Sequence, residues 1–156
     1  MTQSPAQRGP SVDVDQAYRV LVGICLVLAG GVVLAAGGAW AVLEAGLFPP
    51  FLGFPAWVRW SVGAGLLVLL AASYPAHRAA GGAVAVTDAA TALQAFQTRV
   101  ITAMAMREFV GMAGAVLILL SRDLLVGGTL AGLAVLSILL ALPRREDLRE
   151  AVRRAG

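Results

Sequence analysis

Two opposite charges stand side by side where charges are costly. In the run Arg99 to Leu120, RVITAMAMREFVGMAGAVLILL, Arg107 and Glu108 interrupt a stretch apolar and long enough to cross a bilayer. Helical rise carries Glu108 about 13.5 Å beyond Arg99, inside a hydrocarbon layer of about 30 Å. A charge at that depth costs at least ~2.5–3.5 kcal/mol on insertion scales, so it marks a buried partner or a functional group. Neighbours on a helix diverge by about 100° and need not pair with each other. Arg107 lies close enough to the cytoplasmic edge to snorkel out of the membrane, whereas Glu108 has less reach. Glu108 is therefore expected to be the submerged group. It would be protonated, paired with an arginine, or held by Ser and Thr hydroxyls. Proton or cation handling is one role for such a carboxyl, and a polar staple between helices is the other.

No other pattern in the chain suggests catalysis. His77 is the only histidine and stands beside Arg78, which reads as an interfacial side chain. Cys25 is the only cysteine and falls inside the first apolar run, which excludes an internal disulfide and a thiolate metal cluster. HxxxH, CxxC, GxSxG and phosphate-loop patterns do not occur. Neither an enzyme nor a bound cofactor or metal is expected.

The elements that would position Arg107 and Glu108 follow from composition. Of 156 residues, 59% are hydrophobic and 13% charged, with mean hydropathy +0.82. Soluble domains average about 45–50% and about 25%, and here the excess is gathered in runs, the mark of a polytopic membrane chain. The basic residues collect at the edges of those runs with no aromatics interleaved, which argues against nucleic acid as a partner.

Residues 1–16 read as a loose tail. A first span covers about 17–43, starting too late and running too long for a cleaved signal. Its Gly23, Gly30 and Gly37 recur every seven residues and Glu44 continues the series. A period of seven turns one face to one neighbour, and small residues there let backbones approach closely. The turn Gly46 to Trp60 holds Phe48, Phe51, Phe54, Trp57 and Trp60 among prolines, an aromatic interfacial belt. Arg59 is expected to pair with Glu44 across that turn. A second span, about 56–74, ends at Pro75, and a flexible patch follows around Gly81 and Gly82. Thr87 and Asp88 can cap a long third helix whose inner part, about 100–120, is the third span. After Ser121-Arg122-Asp123 comes a fourth, about 124–142, with Gly128 and Gly132 in a GxxxG arrangement. Residues 144–156 make a charged cytoplasmic tail lying in water or along headgroups.

The expected fold is all-α, an antiparallel four-transmembrane-helix bundle with 17–143 as the membrane domain. With both termini cytoplasmic, nine arginines lie inside and only Arg59 and Arg122 outside, as the positive-inside rule asks.

The C-terminal half resembles a family of small bacterial four-span integral membrane proteins of uncharacterised activity. The likeness covers about residues 96–149, through Phe96, Ile101, Ala103, Ala105, Glu108, Gly111, Gly114, Ser121-Arg122-Asp123 and Pro143-Arg144. Within it, MAMREFVGMAGAVLILL is faintly similar to the carboxylate helix of rotary ATP-synthase c subunits. That likeness implies an ion-carrying carboxyl at Glu108.

Two functions are expected from these readings. The first is a non-enzymatic structural or accessory protein of the bacterial cytoplasmic (inner) membrane. It would pack against a second copy or a larger complex through its small-residue faces, with the lipid bilayer as its surroundings. The alternative is a small proton- or cation-translocating protein using Glu108.

Overall fold

The computed structural model describes residues 13–47, 55–78 and 89–153. These form five helices and no strand: α1 (Val14–Glu44), α2 (Ala56–Arg78), α3 (Ala89–Ser121), α4 (Leu124–Leu140) and α5 (Arg145–Arg153). Helices over Val14–Glu44, Ala56–Pro75 and Ala90–Ser121 are each long and apolar enough to cross a membrane. The short α4 meets that test only when joined to α5, from which it is bent by 56°. Its 17 residues rise about 25 Å, at the lower limit for a span. Since α5 reads REDLREAVR, the apolar part of that pair is α4 alone.

Local chemistry explains where the helices begin and turn. Asp13 caps α1, its Oδ1 accepting from the Asp15 and Gln16 amides at 3.0 Å each. The helix thus starts at Val14, inside the tail expected over 1–16, and residues 1–12 lie outside the described residues. Rather than stopping at Pro75, α2 runs through it to Arg78. Phe48, Phe51, Phe54, Gly81, Gly82, Thr87 and Asp88 lie outside the described residues, as does the side chain of His77. Trp57 and Trp60 are exposed, as an interfacial belt requires.

The hub of the fold is α3, which packs against α4, α1, α2 and α5. Along the α3–α4 seam, Gly111 meets Ala134, Gly114 meets Gly127 and Ala131, and Ile118 meets Gly127, so numbering rises on one helix as it falls on the other. The backbones touch. A Cβ on Gly114 would stand 2.7 Å from the Gly127 carbonyl oxygen, and one on Gly127 would stand 2.5 Å from that of Gly114. Only glycine fits at that crossing.

The glycines expected on packing faces take no part in this internal seam. On α1 the buried face is Leu21, Cys25, Ala29, Val32 and Ala39. Gly23, Gly30 and Gly37 point away from it, each with nothing within 4 Å of an added Cβ. On α4, Gly132 is equally open and Gly128 approaches only Leu124 of its own helix. The seam is built one residue over, on Gly127, Ala131 and Ala134. In lipid every face of these helices is apolar, so hydropathy carries no mark of which one turns inward.

The C-terminal helix is not a solvated tail. Leu148 of α5 is fully buried in a cluster with Leu21, Cys25, Phe96, Val100 and Ile138. Around it, Arg145 and Arg149 approach Asp15 Oδ1 at 4.0 and 3.9 Å, and the Arg145 guanidinium lies over the Tyr18 ring at 5.0 Å.

Candidate functional site

The most buried stripe of α3 runs through Phe96, Val100, Met104, Arg107, Val110 and Gly114, at helical spacings of three and four. Arg107 is on that stripe, so its side chain has nowhere to go but the middle of the bundle. It is 0% exposed and is the largest fully buried side chain among the described residues. The expectation that Arg107 snorkels out fails: its guanidinium is the buried group, while Glu108 is half-buried. The two differ by one step of rotation, and that step places the arginine on the seam and the glutamate at its edge.

Three helices meet at the guanidinium. From α2, Ser73 donates its hydroxyl proton to Leu70 O at 2.6 Å, and its oxygen accepts from Arg107 Nε at 3.0 Å. From α4, the carbonyl of Ser137 accepts from Nη1 at 3.2 Å, while the Ser137 hydroxyl is turned back to Ala134 O at 2.8 Å. Met104, one turn earlier on α3, brings its sulfur to 3.6 Å from Nη1. The ring of Tyr74 faces the guanidinium carbon at 5.1 Å, within cation–π range. The carbonyl of Ser137 belongs to the last turn of α4, the negative end of the helix dipole, which favours a cation there. Nη2 makes no hydrogen bond. No carboxylate forms an ion pair with Arg107 among the described residues.

Glu108 is half-buried at the α1–α3 edge, its Oε1 3.7 Å from where a Cβ on Gly31 would stand. Among the described residues its carboxylate has no hydrogen bond or ion pair. Arg107, not Glu108, is the side chain that joins three helices by hydrogen bonds.

At the other end of the bundle the expected Glu44–Arg59 pair does not form. Glu44 is exposed, and Arg59 Nη1 instead meets Asp123 Oδ2 at 3.0 Å. Asp123 does two jobs, since its Oδ1 accepts from the Val126 amide at 3.1 Å and caps α4. The starts of α2 and α4 thus lie together, which nearness in sequence could not reveal.

Between α1 and α4 an apolar groove of about 540 Å³ opens outward, lined among others by Val33, Gly37, Trp40, Gly128, Gly132 and Leu136. Three of the five expected packing glycines border it. Among the described residues no three His, Cys, Asp or Glu side chains converge as a metal site.

Sequence reasoning passed over Ser73, Tyr74 and Ser137. Their signal was a hydroxyl in the last turns of two otherwise apolar helices, at a depth matching Arg107. No family model, curated protein or solved structure matches the chain.

Proposed function

We propose that this chain is a four-span antiparallel protein of the bacterial cytoplasmic membrane, with both termini inside, and that it is a non-enzymatic structural or accessory subunit. Its likeness to small four-span bacterial membrane proteins belongs to the same proposal. The observation that carries it is the division of its small residues. One set closes the chain's own seam, while Gly37, Gly128 and Gly132 border a groove that no described residue fills. In lipid, helices associate by close packing, and small residues on an outer face are what a neighbouring helix needs. The pairing of Asp15 with the α5 arginines at one end and of Arg59 with Asp123 at the other supports the alternating direction of the spans.

The test fills the groove. Gly37→Leu with Gly132→Leu is expected to leave the monomer folded, by helix content and tryptophan emission, and to abolish its lateral partner in cross-linking with mass spectrometry. Recovery of wild type only as an isolated monomer in native membranes would end the accessory reading. Impermeant labelling of single cysteines near each terminus checks that both face the cytoplasm.

A second reading stays with Glu108, a carboxyl at span depth with no partner among the described residues. If it carries protons or cations, Glu108→Gln abolishes flux in reconstituted vesicles while the fold survives. An accessory protein is indifferent to the same change.

A further inference from the structure

A guanidinium carries five N–H donors. At Arg107 one goes to Ser73, Nη1 serves the Ser137 carbonyl and leans on Met104, and Nη2 is left with none. The group is fully buried, and no carboxylate among the described residues pairs with it. An unmatched donor on a buried charge is expensive, and a planar fork of N–H groups is shaped for an oxyanion. We propose that Arg107 is an internal anion site that takes one phosphate-type oxyanion, from a lipid headgroup of the adjacent leaflet or from solution. The proposal rests on the chain standing in a membrane.

Depth and access fit that ligand. Ser73 stands about 8 Å of helical rise before the end of α2 at Arg78, and Ser137 about 5 Å before the end of α4 at Leu140. The guanidinium is therefore within one or two turns of the headgroup layer. One wall of the site can move. Tyr74, 44% exposed, covers the guanidinium face, and Pro75 follows it inside α2. Proline has no N–H to give the carbonyl one turn back, which loosens the helix at that turn. Swinging the Tyr74 ring outward exchanges a cation–π contact for charge-assisted hydrogen bonds to Nη2, which are the stronger interaction.

The test uses the full chain, purified in a phosphate-free maltoside detergent and titrated with phosphatidylglycerol under native mass spectrometry. Wild type is expected to retain one phosphatidylglycerol per chain. Arg107→Gln should retain about tenfold less, and Tyr74→Ala at least as much as wild type. Competition by inorganic phosphate assigns the site to the free oxyanion, and retention of lipid despite phosphate assigns it to the headgroup. Equal retention by wild type and Arg107→Gln overturns the proposal. So does wild type that holds neither probe at saturation, an outcome that needs no variant to fold. Whether wild type stays in the membrane pellet after alkaline washing is read separately. Release there defeats the membrane reading rather than the anion site.

Discussion

The α3–α4 seam and the outer flank of α1 are both rich in glycine, yet they do opposite things. At the seam, Gly111, Gly114 and Gly127 sit where another helix has no room for a methyl group. On the flank, Gly23, Gly30 and Gly37 face open space. In water, burial separates such rows, because a polar face stays out. In lipid both faces are equally greasy, and only shape distinguishes a row that holds the fold together from one left for a neighbour.

Substitutions sharpen that contrast. The largest effect is expected at the seam. Gly127→Leu drives a side chain into the Gly114 carbonyl and Ile118, and should cost about 3 kcal/mol or more, whereas Gly30→Leu stays within about 0.5 kcal/mol. Equilibrium unfolding in mixed detergent micelles, followed by tryptophan emission, measures both. Equal losses would erase the distinction between the two rows.

Next comes Arg107, on the same seam. Arg107→Ala should cost about 2–4 kcal/mol through a cavity and a lost tether, while Arg107→Met should be neutral or stabilising. If Arg107→Met were as damaging as Arg107→Ala, the guanidinium would be needed for the fold itself. Gly111→Ala brings its methyl group to 2.5 and 2.8 Å from the two γ carbons of Val32, a buried and stiff side chain. It should cost about 1–2 kcal/mol and be largely rescued by Val32→Ala in a double-mutant cycle.

The ends of the seam give the smallest effects. Asp123→Ala removes a cap and an ion pair together, for about 1–2 kcal/mol, whereas Asp123→Asn keeps the cap and loses about 0.5 kcal/mol. Arg122, which turns α3 into α4, has φ 54°, so Arg122→Gly should gain about 0.5–1 kcal/mol in the same unfolding assay.

How much of this the sequence reveals depends on which force writes the signal. The long helices are plain in it, because eighteen or so apolar residues with few charges have one common use. The turn at Ser121, Arg122 and Asp123 is equally plain. Which face of each helix turns inward is not. The heptad of glycines lies off the face by which α1 joins its own bundle, and on α4 the internal row begins at Gly127 rather than at its neighbour Gly128. For the site the same ambiguity decided between Arg107 and Glu108. Their roles hinged on one rotation step, and only Ser73 and Ser137, far off in the chain, say which way it goes.

The docking of α5 has a consequence for how the molecule is made. Leu148 closes a cluster whose other members come from α1, α3 and α4. A nascent chain that has made α1 to α4 but not yet residue 148 therefore has this cluster without its last member. Until then the cluster stays open on that side, and α5 acts as the latch that ends the exposure.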